Sequence, residues 1–116
     1  MSAKEILARV EGGEPVGTST VHLSEVVNVV EKINDIPTAL GFLQWILNTS
    51  SIYVFPVTVE DYQRALTVAA RVGVGANDAL AYTLMKHEDI QEIYSMDHHF
   101  DFLPDIKRLP ETPRKE

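Results

Sequence analysis

Val74-Gly75-Ala76-Asn77-Asp78-Ala79-Leu80-Ala81, followed by Ile93-Tyr94-Ser95-Met96-Asp97-His98-His99-Phe100-Asp101, decides how this chain reads. Gly73 and Gly75 break one helix, and Asn77 is expected to cap the next, which carries Asp78 in its first turn. A short apolar strand, Ile93-Tyr94-Ser95, then ends just before a second aspartate, Asp97. Upstream, Thr18-Ser19-Thr20-Val21-His22-Leu23-Ser24-Glu25 repeats the arrangement: a strand end passes into a helix that bears a carboxylate.

Working outward, helix and short strand alternate along the whole chain. Ala3 to about Glu11 reads as a helix with Ile6, Leu7 and Val10 on one side, stopped by Gly12-Gly13. Pro15 to Ser19 is a strand, and Val21 to about Asn34 an amphipathic helix burying Leu23, Val26, Val27, Val30 and Ile33. Pro37 opens a helix through Leu47, and Ile52-Tyr53-Val54-Phe55 is a strand closed by Pro56. Thr58 caps a helix through Ala69, with Asp61 completing a capping box. Ile106 to Leu109 forms a short edge strand before Pro110, and residues 111–116 read as a frayed tail.

Strands separated by helices predict crossover connections and a mostly parallel α/β sheet. Ligands of such sheets bind beyond the carboxyl ends of the strands. Ser19, Ser95 and Asp97 fall there, together with the first turns of the helices that carry Glu25 and Asp78.

Composition narrows the function classes. With 116 residues the chain has room for one domain with one core. No run approaches the roughly 18 apolar residues that span a bilayer, and Met1 to Glu5 lacks the apolar core of a secretory signal, so a cytoplasmic protein with no membrane association is expected. The absence of cysteine excludes disulfides, thiolate chemistry and cysteine-ligated zinc. A formal net charge of −7 argues against a general nucleic-acid binder, which neutralises phosphates with Lys and Arg. It is compatible with an enzyme that meets phosphates through a bound cation.

Each acid also has an ordinary structural reading. Glu25 and Asp78 sit where the helix dipole favours a carboxylate, and Asp97 suits a turn cap above Phe100 and Leu103 as core. Asp101 stands nearby, as a ligand or as the cap of the next turn. Brought together, however, the carboxylates repel one another unless a cation binds. Oxygen ligands with room for water suit Mg²⁺ or Mn²⁺, which activate a water and neutralise phosphoryl oxygens. The adjacent His98 and His99 cannot easily face one site, and His22 and His87 lack a zinc-ligand spacing, so the histidines are expected at the surface or behind the ligands. A small α/β binding module whose acids are only caps is the remaining reading.

The order of these residues resembles the PIN-domain family, particularly the toxin ribonucleases of VapBC toxin–antitoxin pairs. The likeness runs from Ala3 to about Pro110 and rests on Thr18-Ser19-Thr20 with Glu25, on Asn77-Asp78-Ala79-Leu80-Ala81, and on Ser95 to Phe100 with Asp101, Leu103 and Pro104. It implies a three-layer α/β/α sandwich and Mg²⁺- or Mn²⁺-dependent cleavage of RNA. It also implies assembly as a homodimer or higher oligomer, and neutralisation by an antitoxin protein. Glu25, Asp78 and Asp97 then take the place of metal ligands and catalytic acids, supported by the polar Ser19, Asn77, Ser95 and Asp101.

The chain departs from that pattern at its start. The family's first strand, ending in an aspartate, and the helix after it have no counterpart here, and no aspartate precedes Asp35. The resemblance therefore implies a PIN-like domain without its N-terminal strand and first acid, through a late start, truncation or degeneration. Weakened nuclease activity, strong self-association, or a silent PIN-like module that only binds other proteins are the corresponding expectations.

Overall fold

A computed structural model describes residues 2–95 and 97–109. They fall into two compact units, one ending at Val57 and the other beginning at Thr58. The fold is α/β, with helices and parallel strands in small sheets.

The first unit runs α1 (Ala3–Glu11), β1 (Val16–Ser19), α2 (Thr20–Ile33), α3 (Ile36–Asn48) and β2 (Ile52–Phe55). Ser2 and Glu5 close a capping box on α1, and Gly13 takes φ 111° in the turn that follows. Ser19 ends β1 and caps α2, its Oγ accepting the His22 N–H at 3.1 Å. Asp35 caps α3 by accepting the Thr38 N–H at 2.8 Å, with Pro37 in the first turn where its missing N–H costs nothing. The crossover through α2 and α3 sets β2 parallel to β1, with Val16 opposite Ile52 and Ser19 opposite Phe55. Val10, Ala39 and Ile46 are its buried apolar side chains.

The second unit runs α4 (Val59–Val72), α5 (Ala76–His87), β3 (Glu92–Tyr94), a short 3₁₀ helix (His98–Phe102) and β4 (Lys107–Leu109). Thr58 and Asp61 form the expected capping box on α4. Gly73 ends that helix at φ 77°, a left-handed conformation that glycine adopts without a Cβ clash. Ala65, Ala79 and Leu80 are completely buried, and the two alanines let α4 and α5 approach closely. Phe100 and Leu103 are buried as expected, as the apolar side chains of the crossover that makes β4 parallel to β3. That crossover, residues 95–106, is near the minimum of about a dozen residues that a parallel connection needs, and it carries Asp97, His98, His99 and Asp101.

Three expectations change. The strands form two separate two-stranded sheets, β1–β2 and β3–β4, instead of one; both are parallel, and among the described residues no strand joins them. Asn77 is not the cap of α5. Gly75 holds that position without a side-chain bond, and Asn77 lies inside the first turn. Val26 and Ile33, assigned to the buried face of α2, are 45% and 75% exposed. Within its unit α2 packs on α3 and β1. An apolar stripe shows which face seeks cover, but not whether anything covers it. The tail after Pro110 lies outside the described residues.

Candidate metal centre

Asp78 reaches the site from the first turn of α5, where the helix dipole and unpaired N–H groups favour negative charge. The preceding residue is pinned: Tyr62 of α4 donates its hydroxyl to Asn77 Oδ1 at 2.6 Å. The start of α5 is half-covered, not fully buried, so Asp78 keeps contact with solvent.

Asp97 arrives from the other direction, just past β3. Its backbone N–H donates to Ser95 Oγ at 3.0 Å, and its Oδ1 accepts the His99 N–H at 2.9 Å, capping the 3₁₀ helix. The turn-cap reading of Asp97 is therefore correct, and it does not exclude a second role. The cap turns the His99 ring back over the two acids, with Nδ1 3.1 Å from Asp97 Oδ1 and 3.6 Å from Asp78 Oδ2. One ligand atom from each of Asp78, Asp97 and His99 lies within 4.8 Å of the other two.

This donor set suits a divalent cation. Two hard carboxylate oxygens and one imidazole nitrogen, on partly exposed side chains, leave space for water in the remaining positions. Asp78 and Asp97 would hold the ion, with His99 Nδ1 as the third donor. No zinc centre of cysteine or clustered histidine type competes among the described residues, where this is the one group of three such side chains.

The other expected residues have definite places. Ser95 supports Asp97 directly, as above. Asp101 pairs with Arg108, whose Nε donates to Oδ1 at 2.9 Å, and lies 2.9 Å from His98 Nδ1 through Oδ2. Hydrogen bonds from Arg108 first, and from His98 second, hold the Asp101 carboxyl below the usual carboxylate range. Ser19 and Glu25 belong to the first unit: Ser19 is the buried cap of α2, with His22 Nδ1 2.5 Å from its Oγ, and Glu25 is an exposed residue in the second turn of that helix.

Sequence reasoning missed two participants. It kept both histidines out of the site, yet their adjacency sends them to opposite duties: His98 toward Asp101 and Arg108, His99 toward the acids. A histidine two residues after an acidic helix cap was the available signal, because the cap returns the chain over its own carboxylate. Arg108, with a side chain 3% exposed, had no signal in a strand where it directly follows another basic residue, Lys107.

The family model of the PIN domain matches residues 1–105, and the chain belongs to the PIN domain family. PIN domains are nucleases as a class, generally dependent on divalent metal ions. No curated protein matches the sequence. No helix among the described residues is long and apolar enough to cross a membrane.

Proposed function

We propose that this chain is a Mg²⁺- or Mn²⁺-dependent endoribonuclease of the PIN type, hydrolysing phosphodiester bonds as the toxin of a VapBC-like toxin–antitoxin pair. The observation that supports it most is the convergence of Asp78 and Asp97, from two separate elements, with His99 over both. Like charges are brought together at an N-terminal helix turn in a chain of a nuclease family, which is what a cation site requires.

When bound there, the ion supplies a water of lowered pKa and neutralises phosphoryl charge. Asp78 and Asp97 would hold the ion, and their carboxylates would accept the proton-bearing side of the water it activates. Ser95 and the 3₁₀ cap keep Asp97 in place, and the Tyr62–Asn77 bond keeps the first turn of α5 in place. The assignment of Glu25 as a further acid comes from the sequence resemblance. An antitoxin protein and a homodimer or higher oligomer are proposed as partners on the same basis.

The test is cleavage of a labelled single-stranded RNA with Mn²⁺, comparing the wild-type chain with Glu25→Gln, Asp78→Asn and Asp97→Asn. Loss of cleavage in Asp78→Asn and Asp97→Asn is the expected result, and activity surviving both would sink the assignment. Mn²⁺ binding without any cleavage would make the chain a silent PIN-like interaction module.

A further inference from the structure

We propose that Arg108 is a positioning residue for this metal centre: its buried guanidinium ties Ser95 and Asp101 together, with His98 held through Asp101, and thereby fixes the turn that presents Asp97 and His99. The inference rests on the metal-site reading above and adds to it a residue on a different strand.

Arg108 is 5% exposed, and all of its donor nitrogens are directed at the crossover. Nε donates to Asp101 Oδ1 at 2.9 Å, and Nη1 donates to the Ser95 carbonyl at 3.2 Å. Nη2 lies 3.5 Å from Asp101 Oδ2 and 3.1 Å from His98 Nδ1. Ser95, His98 and Asp101 bracket the site residues in sequence. Ser95 precedes Asp97 by two positions, His98 separates Asp97 from His99, and Asp101 follows His99 by two.

Ser95 is engaged from both sides. Its carbonyl accepts from Arg108 while its Oγ accepts the Asp97 N–H, so the position of the guanidinium passes to Asp97 through one residue. At the far end, Asp101 and His98 anchor the 3₁₀ helix whose first residues aim His99. A five-residue 3₁₀ helix has poor internal hydrogen-bond geometry and holds its shape only with outside support.

Stability alone does not account for the arrangement. The pair lies at the edge of the interior, with Arg108 buried and Asp101 reached by solvent, and the cost of desolvating the guanidinium offsets much of the attraction. What the guanidinium supplies is a planar fork that meets a carboxylate and a carbonyl at set angles. Lysine, a single flexible donor centre, cannot reproduce it.

The experiment measures Mn²⁺ affinity of the full chain by electron paramagnetic resonance of the free ion, alongside thermal unfolding, for wild type, Arg108→Gln, Arg108→Lys and the paired change Arg108→Met with Asp101→Asn. The paired variant leaves no buried charge unpartnered, and so remains informative if Arg108→Gln does not fold. Removing such supporting groups typically weakens metal affinity about 10- to 100-fold. That loss is expected in Arg108→Gln and in the paired variant, with little rescue by Lys. A folded variant with lowered thermal stability but wild-type Mn²⁺ affinity would overturn the positioning role alone. A wild-type chain that binds no Mn²⁺ would overturn the metal site and this role together.

Discussion

His99 Nδ1 lies 3.1 Å from Asp97 Oδ1, the same oxygen that accepts the His99 backbone N–H at 2.9 Å. A single carboxylate oxygen thus caps the 3₁₀ helix and orients the ring that leans over Asp78. Replacing His99 by Gln removes the ring nitrogen and keeps the backbone cap. We expect Mn²⁺ affinity to fall about tenfold, equivalent to about 1.4 kcal/mol, as read by isothermal titration calorimetry. Unchanged affinity would make the imidazole a bystander.

Metal binding also predicts stabilisation. A ligand that binds only the folded chain raises its stability with concentration, by about 2.7 kcal/mol at a hundredfold excess over Kd. Differential scanning calorimetry with millimolar Mn²⁺ should show a rise in Tm, which chelation with EDTA reverses. Asp78→Asn or Asp97→Asn should abolish the rise. A wild-type Tm indifferent to Mn²⁺ would contradict the site.

The 2.6 Å bond from Tyr62 to Asn77 joins α4 to the first turn of α5. Tyr62→Phe deletes the donor and preserves the ring. A loss of about 0.5–1.5 kcal/mol in urea unfolding is expected, with weaker Mn²⁺ binding because the turn that carries Asp78 loosens. A neutral result on both counts would show that helix packing alone holds that turn.

Gly17 lies under the Phe55 ring. A Cβ added there would stand 2.4 Å from Phe55 Cε2, closer than side chains tolerate. The ring is already held edge-on against Tyr53, with centroids 4.6 Å apart. Gly17→Ala should therefore cost about 1–3 kcal/mol by chemical denaturation, as the β1–β2 pair spreads. A cost below about 0.5 kcal/mol would show that the ring swings aside.

The Asp61 carboxyl is held below its ordinary value of 3.8, chiefly by the Thr58 backbone N–H, then by the Thr58 hydroxyl and, more weakly, Arg64. A folded-state value below the unfolded one means that the carboxylate stabilises the protein above the ordinary value. That contribution fades as pH falls through the lower, folded value. Asp61→Asn should be less stable than wild type at about pH 6, and the difference should close as pH drops below about 4. A gap that stays constant down to acid pH would show that the cap acts without its charge.

Most local structure was legible along the chain. Ala3 to Glu11, Ile52 to Phe55 and the Thr58–Asp61 capping box appear where periodicity and cap chemistry place them. Local signals have local causes: a hydroxyl three residues from an acid, or glycines between two periodic runs. Asp97 could be read as a turn cap for the same reason, because its partner N–H is two residues away.

The Asn77 cap failed because two local chemistries competed. Gly75 took the extended cap position, which freed the Asn77 amide for Tyr62, fifteen residues earlier. The covering of α2 failed for a different reason, since exposure at Val26 and Ile33 depends on what the rest of the molecule brings near.

By itself, then, the sequence determined the order of elements, their caps and the placing of Asp78 and Asp97 at element ends, all set by interactions within a turn or two. Only the tertiary structure decided that those two acids lie side by side, that His99 and not His98 comes within reach of both, and that Arg108 reaches back from β4 to the turn. Those outcomes depend on tertiary contacts between elements, from 7 positions apart for Asp101 and Arg108 to 21 for Asp78 and His99, and no local periodicity encodes such meetings.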